Sequence, residues 1–266
     1  MQNTEMPNIT PFKLSERIWF VGGREVSVHI IDTGDGLIMV DTGYPHMRER
    51  IIENMRAVGL DPEDLRLLLI THGHWDHTGS ADEYRRRYGA KIAMSRIDSD
   101  IARGTLDLSW TSEHGRDPLP PFEPDILIDD GDVLNLGDVS IRCLLAPGHT
   151  AGTLALFFDI PQPDGSHLIA GMHGGVGLNS MSREFLERKG LSLDCRDHFR
   201  EGLQRLSHEH VDIVLGNHPG QTDTEGKLAR MLAGKPDAFY DPTEWPRFLK
   251  GREALLDEML AKEANE

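Results

Sequence analysis

Cysteine is scarce: Cys143 and Cys195 are the only two, which excludes a disulfide framework. Cys143 lies in the alternating run Val139–Leu145 and reads as a small core residue. Positive charge is also in deficit. There are 28 Lys and Arg against 44 Asp and Glu, a formal net charge of −16. That balance argues against a nucleic-acid backbone or an anionic membrane as partner, because both recruit basic surface. Long apolar runs are missing: the first cluster, Ile18-Trp19-Phe20-Val21, is far shorter than the roughly 20 residues a spanning helix needs. The opening Met1-Gln2-Asn3-Thr4-Glu5-Met6-Pro7 has neither the charged nor the apolar region of an export signal, so a cytoplasmic location is expected. No repeat, low-complexity tract or linker interrupts the chain, and one domain over residues 1–266 is the expected count. No Gly-x-Ser-x-Gly elbow or activated cysteine offers a side-chain nucleophile.

What is present is a chain of 266 residues, 38% hydrophobic, long enough for a substantial core. The hydrophobic pattern predicts short strands at Ile18–Val21, Val26–Asp32 and Leu37–Asp41, the last two joined by the turn Thr33-Gly34-Asp35-Gly36. Met47, Ile51, Ile52, Met55 and Val58 share one helical face and Gly59 ends it. A strand over Leu65–Ile70, a helix over Ala81–Tyr88 and a strand over Lys91–Met94 follow. Residues 97–122, with Trp110, His114 and Pro118-Leu119-Pro120-Pro121, read either as a substrate lid or as a plain surface loop. Strands resume at Ile126–Ile128, Val133–Leu136, Val139–Leu145, Thr153–Phe158 and His167–Ala170. A helical region over Met181–Ser207, broken at Gly190, and a strand at Val211–Leu215 come next. Helices near Glu225–Leu232 and Glu244–Lys262 close the chain, so the C-terminal segment 223–263 is expected to pack on the rest. Two groups of strands, each accompanied by helices, imply a layered α/β sandwich of two sheets with helices outside.

One stretch stands apart. Thr71-His72-Gly73-His74-Trp75-Asp76-His77 places three imidazoles and a carboxylate in six residues directly after an apolar strand. Neutral imidazole and carboxylate are ligands for zinc and similar divalent ions; the alternative is a solvated His-rich loop that binds nothing. His149, in Ala146-Pro147-Gly148-His149-Thr150, and His218, in Gly216-Asn217-His218-Pro219-Gly220, also follow predicted strands. Loops at strand ends converge on one edge in layered folds, so all six groups are candidates for one site. The remaining histidines, His29, His46, His114, His167, His198, His208 and His210, have no ligand-like spacing.

With these motifs in hand, the chain resembles the metallo-β-lactamase superfamily. The His72-x-His74-x-Asp76-His77 loop carries the likeness, with Asp41-Thr42-Gly43 before it, Pro147-Gly148-His149-Thr150-x-Gly152-Thr153 after it and His218 late, over about Pro11 to Gly220. The resemblance implies a four-layer αββα sandwich with a two-metal site at the edge where the sheets meet. His72, His74 and His149 would hold one ion, and Asp76, His77 and His218 the other. Asp41 would orient ligands without touching metal. His74 stands where di-iron members place a Glu, which favours zinc, about two per chain, although iron or manganese suits the same donors. One departure concerns the second ion. Many members have an Asp bridging both metals where this chain has Met172, in Ala170-Gly171-Met172-His173. In this respect the pattern is similar to the third subclass of true metallo-β-lactamases.

These readings imply a zinc-dependent hydrolase of a small molecule, with a metal-bound hydroxide as nucleophile and Asp76 as the catalytic proton handler. The expected substrate is an ester, lactone, thioester or cyclic amide, with β-lactam turnover as a side activity. The alternatives are a nuclease or phosphodiesterase of the same superfamily, against which the acidic charge counts, and a non-catalytic metal-binding protein with a degraded site, for which only Met172 speaks. Three further residues are candidates for substrate contact. His173 either reaches substrate or metal or hydrogen-bonds within its Gly-rich turn. Asn179 either contacts substrate, as does Ser180, or belongs to a helix start capped by Ser180 or Ser182. Trp110 belongs to the 97–122 excursion. The sequence does not specify an oligomeric state.

Overall fold

Alternation along the strands builds the molecule. The computed structural model describes residues 8–265; the stretch Met1–Pro7, read above for export signals, lies outside them. Strands β1 (Phe12–Ser15), β2 (Ile18–Phe20), β3 (His29–Asp32), β4 (Leu37–Val40), β5 (Leu65–Leu69), β6 (Lys91–Ser95) and β7 (Ile126–Ile128) form one sheet in sequential order. Its first four strands are antiparallel and β4 to β7 run parallel. Strands β8 (Val133–Leu136), β9 (Val139–Leu145), β10 (Leu154–Pro161), β11 (His167–His173) and β12 (Ile213–Gly216) form the second, in the order β12-β11-β10-β9-β8.

Successive strand residues face opposite sides, and both sheets bury both faces. In β4, Ile38 and Val40 join Leu154, Leu156, Phe158 and Ile160 of β10 in the core between the sheets. Leu37 and Met39 face outward against Ile51, Ile52 and Met55 of α1 (Arg48–Ala57) and Tyr84 and Tyr88 of α3 (Ala81–Tyr88). Ala155 and Phe157 of β10 face outward against Phe199 and Leu203 of α6 (Cys195–Leu206) and Trp245 and Phe248 of α8 (Glu244–Glu263). The indole N–H of Trp245 donates to the Leu206 carbonyl at 2.9 Å, fastening α8 to α6. The result is a layered sandwich of two sheets with helices outside, as the pattern implied, in the four-layer αββα form that the resemblance implied.

The differences from the sequence reading are local. β1 escaped notice because it is four residues long, yet it puts Phe12 and Leu14 into the inter-sheet core. Regular strand begins at His29 rather than Val26. The Ser27 N–H turns away to the Asn217 carbonyl, 2.9 Å, tying this segment to the loop after β12. Residues Trp75–Thr78 form a helical turn, α2, so Asp76 and His77 are not on a free loop; the His74 carbonyl accepts from the N–H groups of His77 and Thr78. The 97–122 segment contains a short helix, α4 (Ser99–Ala102). The 181–207 region is α5 (Arg183–Lys189) and α6, parted at Gly190, which adopts φ 65°. The helix α7 (Thr224–Leu232) precedes α8. Among the described residues no helix is long and apolar enough to cross a membrane.

Candidate metal centre

The ends of β4, β5, β9, β11 and β12 meet at one edge of the sandwich. The Thr71 carbonyl, just beyond β5, accepts from the Leu154 N–H of the other sheet at 2.9 Å, so the two sheets are joined where the histidines emerge. His72, His74 and His149 present ligand atoms all within 4.8 Å of one another, and so do Asp76, His77 and His218. The groups adjoin: the rings of His72 and His77 lie 4.2 Å apart, and those of His74 and His149 4.5 Å.

Four of the five imidazoles are held by their other nitrogen. His77 Nδ1 pairs with Asp41 Oδ2 at 2.7 Å. Thr71 donates to the same carboxylate at 2.9 Å, leaving its oxygen to accept from His72 Nδ1 at 3.0 Å. His149 Nδ1 donates to the Gly177 carbonyl at 2.7 Å, and His218 Nδ1 to the Glu25 carbonyl at 2.6 Å. With Nδ1 committed on four rings, Nε2 is the nitrogen left to bind an ion. His72 Nε2 is buried without a hydrogen-bond partner. His77 Nε2 is likewise buried without hydrogen-bond geometry, 3.2 Å from Asp76 Oδ2. A buried polar atom without a partner costs free energy, and a divalent cation satisfies both. The donor set therefore fits a metal pair.

Electrostatics agree. Burial, and then the neighbouring imidazoles, push His72 and His74 well below the usual histidine range. Burial brings His149 down to about 4 despite its bond to Gly177. His218 is lowered in the same direction, mainly by burial. These rings are neutral at neutral pH, the form that ligates metal. His77 differs. Burial would lower it, but the carboxylates of Asp76 and Asp41 outweigh burial and hold it above the histidine range. Asp76 is correspondingly held below the carboxylate range: burial opposes this, and the charge of the adjacent His77 prevails.

Asp98 is the residue that sequence reasoning missed. It is buried, and it accepts from the Gly73 N–H (2.8 Å), the Thr150 hydroxyl (2.7 Å) and the Gly152 N–H (2.8 Å). It therefore clasps the loop carrying His72 and His74 to the loop carrying His149. Burial raises its pKa, and the three donors oppose that rise. Its position three residues beyond β6 carries no motif, and the carbonyls of Gly177 and Glu25 have no side-chain signature at all. Asp41 adopts φ 60°, a left-handed conformation unusual for a non-glycine residue. Both its oxygens are engaged, by Thr71 N–H and hydroxyl and by His77, which holds the strained backbone in place.

The other candidates are dispersed. Met172 is buried in the inter-sheet core, paired with Leu156 on β10 and Leu215 on β12, and supplies no carboxylate to either ligand group. His173 is buried outside both groups; its Nδ1 accepts from the Gly175 N–H at 3.3 Å and its ring packs 5.8 Å from Phe199. Asn179 is exposed, and its carbonyl accepts from the Ser182 hydroxyl at 2.9 Å. Ser182 caps α5, whereas Ser180 bonds the His149 carbonyl at 2.6 Å and meets its Nδ1 at 3.0 Å. Trp110 lines a cavity of about 430 Å³ that opens beside His74 and His149.

Comparison with known proteins agrees with this architecture. The family model described as the metallo-beta-lactamase superfamily matches residues 21–162. The human acyl-coenzyme A thioesterase MBLAC2 is 30% identical over 159 residues, 52% of each chain. The hydroxyacylglutathione hydrolase GloC of Haemophilus influenzae is 30% identical over 105 residues, 39% of this chain and 48% of that one. The matches to these curated relatives thus span about half of the relatives' length. Among solved structures, BJP-1, a subclass B3 metallo-beta-lactamase of Bradyrhizobium japonicum, superposes with a TM-score of 0.85 at 25% identity, over 97% of this chain and 96% of that one.

Proposed function

This chain belongs to the metallo-β-lactamase superfamily of metal-dependent hydrolases, close to subclass B3 in structure, and from that premise we propose that it hydrolyses a small carbonyl substrate, an ester, thioester, lactone or cyclic amide, with two zinc ions. The observation that carries the reading is the pair of adjoining ligand groups, His72–His74–His149 and Asp76–His77–His218, with the Nε2 atoms of His72 and His77 buried and unpartnered. When bound, two metal ions activate water and polarise the carbonyl under attack.

The chain's own residues do the rest. Asp41 and Thr71 fix the rings of His72 and His77, and Asp98 fixes the distance between the two ligand loops. Asp76 is the one carboxylate among the six ligands, 3.2 Å from His77 Nε2 and 3.5 Å from His218 Nε2. On this reading it takes the proton of the attacking water and passes it to the leaving group. The named relatives are an acyl-coenzyme A thioesterase, a hydroxyacylglutathione hydrolase and a metallo-beta-lactamase, and their names share an acyl carbonyl as the electrophile. Weak β-lactam turnover fits the subclass B3 likeness. The test is a panel of thioesters, lactones, β-lactams and phosphodiesters with zinc supplied. Turnover of a carbonyl substrate is expected, and efficient phosphodiester cleavage alone would overturn the reading.

A further inference from the structure

The cavity beside His74 and His149 is built for an apolar group. Ile101, Leu108, Trp110, Phe185 and Leu186 line it, contributed by the 97–122 segment on one side and α5 on the other. At its mouth stand Ile97 (44% exposed), Leu106 (41%) and Leu191 (37%), three of the large hydrophobic side chains left open to solvent. Scattered exposed leucines need no explanation; three around one opening do. Among the described residues no Lys or Arg lines the cavity. Of its two carboxylates, Asp98 is committed to Gly73, Thr150 and Gly152, and Asp194 is exposed. Away from the metal end at His74 and His149 and the exposed His198, a carboxylate or phosphate on this side of the substrate would meet no cationic side chain and would lose its hydration.

Trp110 adds a second, independent sign. Its backbone adopts φ 69°, a conformation seldom taken by bulky residues. In that conformation its ring stacks on Phe185 at 5.0 Å and stands 5.7 Å from His74. The backbone strain is therefore retained where it places an aromatic wall of the cavity beside a candidate metal ligand.

We propose that this cavity holds the acyl part of the substrate, an uncharged apolar chain of several carbons, and that the protein is selective for medium- or long-chain acyl thioesters or esters over small, hydroxylated or carboxylated acyl groups. The proposal rests on the carbonyl-hydrolase reading above. Hydrolysis adds water across the acyl–sulfur bond: a C–O bond forms, the C–S bond breaks, and the thiol leaves with the proton. The acyl chain lies in the cavity and the leaving group on the side of Asp76 and His218, which do not line it.

The experiment is a series of N-acetylcysteamine thioesters from acetyl to decanoyl, sharing one uncharged leaving group, assayed with the zinc-loaded protein. kcat/KM should rise about fourfold per methylene until the cavity is filled. Leu106→Asp and Leu191→Asp, both at exposed positions, should cut the decanoyl-to-acetyl ratio by about tenfold or more. Turnover that is flat or falls with chain length, or a ratio unchanged in both variants, overturns the proposal. Loss of turnover at every length would instead count against the hydrolase reading. Calorimetric titration with non-hydrolysable S-alkyl thioethers of the same lengths then decides the cavity separately. Affinity that rises with length supports an apolar acyl site, and affinity independent of length rejects it.

Discussion

The two ligand groups differ in chemistry and in support. His72, His74 and His149 are three neutral imidazoles, drawn from both sheets and locked together by the buried Asp98 clasp. Asp76, His77 and His218 include the one carboxylate, and the His218 side chain is 33% exposed. That second group, also drawn from both sheets, leans on Asp41 and on a single backbone carbonyl, that of Glu25. The first group borders the apolar cavity; the second does not. Under the proposed function the contrast would divide the work: the first group as a rigid seat facing the substrate's carbonyl side, and the second as the more open, anionic side where the proton is handled. With Met172 packed in the core, no bridging carboxylate evens out the difference.

Substitutions can break this contrast. The largest effect should come from His74→Ala, which removes a ligand from the rigid group and a wall of the cavity. Turnover should fall on the order of a thousandfold or more, because water without the metals returns towards a pKa of about 15.7; steady-state kinetics with supplied zinc measure it. Asp76→Ala should come next, losing about a hundredfold or more in kcat and about half the bound zinc, the first group keeping its ion. Asp98→Ala touches no ligand directly. By loosening the clasp it should cost about 10–100-fold in activity or first-group affinity, with a lower melting temperature, since the N–H groups of Gly73 and Gly152 lose their buried acceptor. Met172→Leu should be smallest, under about 1.5 kcal/mol in stability with zinc content unchanged. Altered zinc content there would mean that Met172 serves the metals after all.

Much of the frame was legible in the sequence because period-two and helical patterns are read from one residue type at a time. β10 announces itself by Leu154, Leu156, Phe158 and Ile160 on one face, and α1 by Ile51, Ile52 and Met55. The six candidate ligands stood out because four of them share one short stretch. What escaped was contributed by geometry rather than composition. β1 is too short for a period to show. The helical turn at Trp75–Thr78 rests on the His74 carbonyl accepting two bonds, which no residue type advertises. Asp98 looked like any surface aspartate until the fold brought Gly73, Thr150 and Gly152 to it. His173 carries the right side chain in the right neighbourhood, yet the path of β11 buries it away from both groups.

Zinc content is the most direct test of the two-group account. The chain, produced with zinc and purified without chelator, should carry about two zinc ions by elemental mass spectrometry, and its Asp76→Ala variant about one. A wild-type chain that carries none under those conditions, while still folded, would contradict it.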